Sequence, residues 1–249
     1  MGRANRGFSL VELLVVIAII AILCSFFAPV LRSAKNAVFQ MTSGRAAKQT
    51  YMATSVYMAD YDDTFPPAMA AYGGGLQTWF GLQIGPGEFD PKQGILGSYL
   101  SKLGKDNTLN AQPYLGDETG LGYNYGYIGS DLHIRRDYSN FPNCDNPAKA
   151  SELEDSSNTV VYASSSFYSA QWNGGDGQRY RFGFIDPPSG WNGNPNVDFR
   201  HHERPVVDAK KKEVVMKGRA VFAFADGNVR PLKVDQVKEE MFWRNKTAQ

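Results

Sequence analysis

The chain has 249 residues, of which 43% are hydrophobic and 20% are charged, and its formal net charge is +1. This composition suits a folded protein with one membrane helix and one head domain of ordinary size. The near-neutral charge predicts no nucleic-acid surface. Two cysteines, Cys24 and Cys144, are too few for a disulfide framework, and Cys24 lies in an apolar run, so we expect no bridge within the chain.

An uncharged run begins close to the N-terminus. Residues 13–31 form 19 consecutive positions without a charge. A helix of that length, at about 1.5 Å per residue, matches the roughly 30 Å hydrocarbon core of a bilayer. Arg3 and Arg6 precede the run, and the next basic residue is Arg32. The positive-inside rule therefore places the first residues in the cytoplasm and the rest of the chain outside.

A basic start followed by an apolar run is also how a secretory signal peptide begins. Residues 24–29 read CSFFAP, which offers no good small-residue cleavage site, so removal of the helix is not expected. A lipoprotein signal would use Cys24, but the bulky Leu23 stands where such signals need a small residue. A cleaved secretory signal and a lipoprotein signal both remain alternatives to a retained helix.

A carboxylate stands at the head of the apolar run. Glu12 directly precedes residues 13–31, and an unpaired charge in lipid costs a few kcal/mol or more, so we treat it as a functional candidate. Around it, residues 7–17 read GFSLVELLVVI. This stretch resembles the class III signal of type IV pilins and type II secretion pseudopilins.

The resemblance implies that a prepilin peptidase cuts between Gly7 and Phe8 and methylates the new amino terminus at Phe8. Residues 1–7 would then be a leader peptide, and Glu12 would become the fifth residue. In pilins that glutamate neutralises the terminal amine of a neighbouring subunit as it joins the filament. An ammonium and a carboxylate are each expensive to bury alone but tolerable as a pair. The alternative for Glu12 is an interfacial side chain that reaches the lipid headgroups.

Apolar residues continue at helical spacing beyond the uncharged run, until Pro66 and Pro67 end the pattern. We predict one helix from about Leu10 to Asp60. Pro29 removes one backbone hydrogen bond and permits a kink, as in many pilin-like subunits. Residues 8–31 would form the transmembrane and filament-core part, and residues 32–61 an amphipathic part that packs on the head.

Residues 62–249 are predicted to form a β-rich extracytoplasmic head. Residues 220–232 read AVFAFADGNVRPL, in which apolar residues alternate on both sides of an Asp-Gly turn and so predict a hairpin. Residues 206–215 resemble an added hairpin with a charged tip. We also expect a short helix over residues 94–100, a strand over residues 121–128 and a strand ending near residue 163. The predicted fold class is α+β and pilin-like, with a long N-terminal helix packed on an antiparallel β-sheet.

A second stretch carries a resemblance. Residues 55–67, SVYMADYDDTFPP, resemble the end of the long helix in a large group of prepilin-type proteins. Those proteins carry, near the C-terminus, a histidine, nine residues and then Asp-Gly. Here 23 residues separate His202 from Asp226. The chain therefore resembles these proteins only in separate parts, and whether His202 and Asp226 share a role stays open.

Candidate metal ligands are few. Asp60, Asp62 and Asp63 are closely spaced carboxylates of the kind that suits calcium, although such a cluster is also an ordinary solvated helix end. His202 and Asp226 are the further candidates, and calcium is the one cofactor considered. The sequence has no zinc-ligand signature and no G-x-S-x-G elbow, so we do not expect an enzyme.

These patterns predict a pilin or pseudopilin, a structural subunit of a type IV pilus-like or type II secretion filament. Its partners would be the prepilin peptidase, other pilin or pseudopilin subunits and an assembly platform in the inner membrane. The chain would cross the inner membrane once, with its head in the periplasm, and then join a periplasmic or cell-surface filament. The alternative is a membrane-anchored periplasmic protein that binds sugar or calcium and never polymerises.

Overall fold

The computed structural model describes residues 9–100, 108, 109, 111–114, 117, 119–139, 141, 143–169, 178–191, 195–203, 205–208 and 213–246. The chain divides into two compact units, Met1–Val38 and Phe39–Gln249. The helix α1, Leu10–Asp60, runs through the boundary between them. The first unit holds the start of this helix, and the second holds its remainder together with the head.

The described part of the head is built from short strands, a four-residue helix α2 and several turns of 3₁₀ helix. The strands are β1 (Met69–Tyr72), β2 (Gly75–Thr78), β3 (Gly81–Gly85), β4 (Glu88–Asp90), β5 (Gln112–Pro113), β6 (Leu121–Asn124), β7 (Val160–Ser164), β8 (Phe167–Tyr168), β9 (Arg179–Arg181), β10 (Phe184–Ile185), β11 (Val206–Asp208), β12 (Glu213–Val215), β13 (Arg219–Phe224) and β14 (Val229–Lys233), and α2 is Leu132–Arg135.

A five-stranded sheet, in the order β10-β6-β7-β13-β14, forms the centre of the head. Strands β6, β7, β13 and β14 pair antiparallel, and β10 joins β6 in parallel. Every residue of β7 is buried, as expected for a strand covered on both faces. Further sheets are β1-β2-β3-β4, β5-β9-β8 and the pair β11-β12.

The second half of α1 packs through one face. Its buried residues recur three and four positions apart, which places them on a single stripe of the helix. Most are small, so the helix backbone can come close to the side chains of the head. They are Ser43, Ala46, Ala47, Thr50, Ala53, Thr54, Tyr57 and Met58.

Aromatic side chains fill the core that this stripe covers. Trp79, Tyr123 and Tyr162 are fully buried and belong to the same cluster as Ala47 and Tyr57 of α1. The Trp79 and Tyr162 rings lie 5.3 Å apart, and the Tyr123 and Tyr162 rings stack at 4.9 Å. A second buried cluster, which includes Phe199, Phe222, Phe224 and Phe242, lies elsewhere in the head.

The α+β fold class is confirmed, and the long helix has the predicted bounds, Leu10–Asp60. Strands β13 and β14 form the hairpin expected around Asp226 and Gly227, in antiparallel register. Strands β11 and β12 form the added hairpin, whose charged tip at residues 209–212 lies outside the described residues. Strand β7 ends at Ser164, close to the predicted position.

One local prediction is wrong, and a second is correct only in part. Residues 94–100 form turns instead of a helix, because Gly97 folds tightly onto the preceding 3₁₀ turn, Pro91–Gln93. A Cβ on Gly97 would lie 2.3 Å from the Lys92 carbonyl oxygen. The strand expected over residues 121–128 stops at Asn124, whose carbonyl oxygen accepts turn bonds from Ile128 and Gly129 at 3.1 and 2.9 Å.

Candidate functional site

Glu12 lies in the first turn of α1, where it forms a reciprocal pair of bonds with Ser9. The Ser9 backbone N–H donates to the Glu12 carboxylate at 2.8 Å, and the Glu12 backbone N–H donates to the Ser9 hydroxyl oxygen at 3.2 Å. This arrangement is a capping box, which satisfies backbone donors that a helix leaves open at its N-terminus. The carboxylate therefore has a partner within its own chain. Gly7 and Phe8 lie outside the described residues.

The first part of α1 exposes apolar side chains all round. Its large hydrophobic residues from Leu10 to Leu31 have exposed fractions between 44% for Val16 and 80% for Leu10. A helix that is apolar on every side needs lipid or other protein around it. By length and composition, α1 contains a segment that can cross a membrane. Cys24 is exposed on this segment, and both it and the buried Cys144 are free thiols.

The sequence profile described as the prokaryotic N-terminal methylation motif matches residues 2–28. The chain carries the signal of type IV pilins and pseudopilins. The matched stretch covers residues 2–7 of the predicted leader, Glu12 and most of the apolar run, and the apolar helix fits anchoring in the inner membrane. The signal is typical of structural proteins and implies processing by a prepilin peptidase and assembly with other pilins. No curated protein and no solved structure matches the chain.

Pro29 lies inside α1, and the helix continues on both sides of it. A proline within a helix removes one backbone donor and tolerates or produces a bend. The kink at Pro29 stays a prediction.

The acidic candidates at the end of α1 have different surroundings. The Asp60 carboxylate accepts a hydrogen bond from the Tyr99 hydroxyl at 3.0 Å. Asp62 and Asp63 lie in the turn after the helix, both in the left-handed region with φ of 49° and 55°. Within the described residues no group of three or more His, Cys, Asp or Glu side chains could hold a metal ion. Calcium binding stays a prediction.

The structure gives His202 and Asp226 separate side-chain partners. His202 Nε2 lies 2.9 Å from the Gln40 side-chain oxygen on α1. The Asp226 carboxylate accepts from the backbone N–H of Asn228 at 2.9 Å and from its side-chain amide at 2.6 Å. Asp226 thus shapes the turn between β13 and β14. These contacts account for both side chains in structural terms.

Sequence reasoning missed the polar residues of α1 that contact this turn. The Lys48 ammonium donates to the Gly227 carbonyl oxygen at 2.6 Å, and the Tyr51 hydroxyl donates to the Ala225 carbonyl oxygen. Burial raises the pKa of Tyr51, so its hydroxyl keeps the proton it donates. Neither residue forms a recognisable motif. The one available signal was their i, i+3 spacing on a helix otherwise lined by small residues.

His133 is another histidine of the head with polar neighbours. It lies on α2, where its Nε2 is 3.2 Å from the Tyr125 hydroxyl and 3.5 Å from Asp186 Oδ1. Burial lowers the pKa of His133, although the Asp186 charge acts in the opposite direction. Burial also raises the pKa of Asp186. A Cβ on Gly126 would lie 2.4 Å from the imidazole, so that glycine makes room for the ring.

Proposed function

We propose that this protein is a structural subunit of a type IV pilus-like or type II secretion filament. The observation that carries the proposal is the pairing of a capped carboxylate, Glu12, with an apolar helix that is exposed on every side. The methylation motif over residues 2–28 supports the same conclusion. A helix of this kind is stable first in lipid and then among the same helices of other subunits.

The proposed path begins with cleavage between Gly7 and Phe8, which releases residues 1–7 and creates an ammonium at Phe8. The Glu12 carboxylate then leaves the Ser9 N–H and pairs with the Phe8 ammonium of a neighbouring subunit. Opening a capping box costs about 1 kcal/mol. Leaving two opposite charges unpaired in an apolar environment costs several kcal/mol for each. When a neighbouring subunit arrives, it is therefore favourable for the Glu12 carboxylate to exchange the Ser9 N–H for the neighbour's Phe8 ammonium.

Each part of the chain has its own role in this filament subunit. Residues 8–31 serve as the membrane anchor and later as the filament core, and residues 32–61 attach that segment to the head. Residues 62–249 form the periplasmic head. The partners are the prepilin peptidase, other subunits of the filament and an assembly platform in the inner membrane.

The first test is the mass of the N-terminal peptide of protein purified from its native membrane. We expect a chain that begins with N-methylated Phe8. An intact Met1, or a lipid on Cys24, would contradict processing by the pilin pathway.

The second test separates a filament subunit from an anchored protein that never polymerises. Glu12→Gln keeps the shape of the side chain and removes its charge. The control is Glu88→Gln, at an exposed position of strand β4 in the head. We expect chemical crosslinking of intact cells to give a ladder of subunits for the unmodified chain and for Glu88→Gln. Glu12→Gln should lose the ladder while still being processed. An unchanged ladder would remove the main support for assembly through Glu12.

A further inference from the structure

We propose that His202 and the turn at Asp226 and Gly227 form a dock for α1, which fixes the second half of the helix to the head. The dock consists of side-chain and backbone groups of the C-terminal region that meet one face of the helix between Gln40 and Tyr51. This role is positional and requires no metal and no catalysis. Its consequence for filament assembly rests on the proposed function.

The centre of the dock is a pair of carbonyl oxygens in the β13–β14 turn. The oxygens of Ala225 and Gly227 accept bonds from Tyr51 and Lys48, the second at 2.6 Å. Lys48 and Tyr51 are three residues apart on α1, so they project from the same side of the helix. The Lys48 bond has a charged donor at the solvent-exposed side of the helix, and the Tyr51 bond has a neutral, half-buried donor.

The Asp-Gly sequence explains why this turn can approach the helix so closely. Gly227 has φ of +82°, a conformation that favours glycine, and a Cβ there would lie 3.0 Å from the Tyr51 ring and 3.3 Å from Lys48 Nζ. Asp226 holds the turn in shape through its carboxylate bonds to Asn228. The backbone N–H of Asp226 also donates to the Ser156 carbonyl oxygen at 3.0 Å. Gly227 supplies the space, and Asp226 supplies the rigidity.

His202 extends the dock toward the start of the head-bound part of the helix. Its Nε2 meets Gln40 at 2.9 Å, and its backbone is in the left-handed region with φ of 71°. Between Gln40 and Lys48, a Cβ on Gly44 would lie 3.8 Å from the Val229 side chain of β14. The contacts follow one face of α1 from Gln40 to Tyr51, a rise of about 16 Å along the helix axis.

The dock gives a common role to two sequence features with 23 residues between them. His202 and the Asp-Gly turn hold the same helix at two places, at Gln40 and at Lys48 with Tyr51. If the apolar part of α1 is drawn from the membrane into a filament, the dock transmits that movement to the head. A head without it would remain joined to the helix through the apolar stripe but with weaker polar anchoring.

The test is amide hydrogen exchange of the full-length protein in detergent micelles. Gly227→Ala and Lys48→Met each disturb the dock. Their matched controls are Gly74→Ala, where φ is also +82° but nothing lies within 4 Å of the added Cβ, and Arg45→Met, on an exposed position of the same helix. Exchange is read in peptides covering residues 40–51, with strands β7 and β13 as the reference for the integrity of the head.

We expect amide exchange over residues 40–51 to become about tenfold faster in Gly227→Ala and in Lys48→Met. Lys48→Met loses one hydrogen bond and Gly227→Ala gains a steric clash, and one such contact changes exchange by about that factor. Strands β7 and β13 should stay protected, and both controls should match the unmodified chain. Equal protection of residues 40–51 in all variants would overturn the dock. If Gly227→Ala unfolds the head, Lys48→Met decides, because it changes one side chain at the surface of the helix.

This measurement is made on separate subunits and does not require a filament. A dock confirmed in micelles together with an unchanged crosslinking ladder in Glu12→Gln would contradict the assembly mechanism alone. Unaltered exchange in Lys48→Met together with a lost ladder in Glu12→Gln would contradict the dock alone.

Discussion

The Thr54 hydroxyl on α1 lies 2.8 Å from the Tyr162 hydroxyl on β7, and both side chains are completely buried. Thr54 also donates to the Thr50 carbonyl oxygen of its own helix at 3.1 Å. Thr54 therefore accepts from Tyr162 while it donates within the helix. The pair is a polar contact inside an apolar interface, where two hydroxyls meet only at one position of the helix relative to the sheet.

We expect Tyr162→Phe to lower the free energy of unfolding by about 1 kcal/mol, the usual contribution of one buried hydrogen bond. Thr54 keeps its bond to Thr50, so no donor is left without a partner. The control is Tyr72→Phe, because Tyr72 is 59% exposed. Thermal unfolding of the two variants in the same detergent measures the difference. Equal thermal midpoints for Tyr162→Phe and Tyr72→Phe would show that the contact contributes nothing to stability.

Arg244 holds the C-terminal segment against the head. Its guanidinium donates to the backbone carbonyl oxygens of Tyr127, Asn146 and Ser130, the last at 2.6 Å, and pairs with Glu152 at 3.1 Å. The residue is only 7% exposed. One planar side chain thus satisfies acceptors from several separate loops, which a lysine cannot do because it lacks the fork of donors.

Arg244→Met should destabilise the head by about 3 kcal/mol, because it leaves buried carbonyl oxygens without their donors. Arg244→Lys should recover little of this loss. Arg135→Met is the control: its side chain is 40% exposed and pairs only with Asp131 four residues earlier in the ion pairs described, so a change below about 1 kcal/mol is expected. Full recovery by Arg244→Lys in a denaturant titration would show that charge alone matters.

Asp117 makes stability depend on pH. It is completely buried, and burial raises its pKa from 3.8 to about 6, although Thr119 donates to its Oδ1 from both its backbone N–H and its hydroxyl at 2.7 Å. Between these two pH values the unfolded chain has released a proton that the folded chain still holds. The free energy of unfolding therefore falls as pH rises through this window.

The loss between about pH 4 and about pH 7 should approach 3 kcal/mol. Asp117→Asn should remove this part of the pH dependence, since an amide does not titrate. Asp235→Asn, on an exposed residue, is the control. The measurement is the thermal unfolding midpoint at several pH values across this window. If the midpoint of Asp117→Asn fell with pH as steeply as that of the unmodified chain, the assignment to Asp117 would be contradicted.

Cys144 should be inert in the folded protein. It is 4% exposed, and burial raises the pKa of its thiol to about 11. At about pH 8 only about one thiol in a thousand is then the reactive thiolate. In a Cys24→Ser background we expect iodoacetamide to label Cys144 only after unfolding. Adding Ala59→Cys, on an exposed position of α1, provides a thiol that should react at once. Rapid labelling of Cys144 in the folded chain would contradict its burial.

Local order along the chain explains which elements were predictable. The bounds of α1 follow from helical spacing that ends before Pro66 and Pro67, and the β13–β14 hairpin follows from alternation around an Asp-Gly turn. The turns at residues 94–100 were not predictable in this way. Gly97 has its role only because the Lys92 carbonyl oxygen lies against it, and a contact of that kind leaves no period in the sequence.

The sequence by itself determined the methylation signal, the apolar run with Glu12 at its head and the length of the helix, because each depends on the order and spacing of neighbouring residues. Only the tertiary structure decided what the helix meets. The partners of Thr54 and Lys48 are 108 and 179 residues away along the chain, and Arg244 reaches back 117 residues to Tyr127. Such pairs are selected by the packing of whole elements, since no local preference of either partner specifies the other.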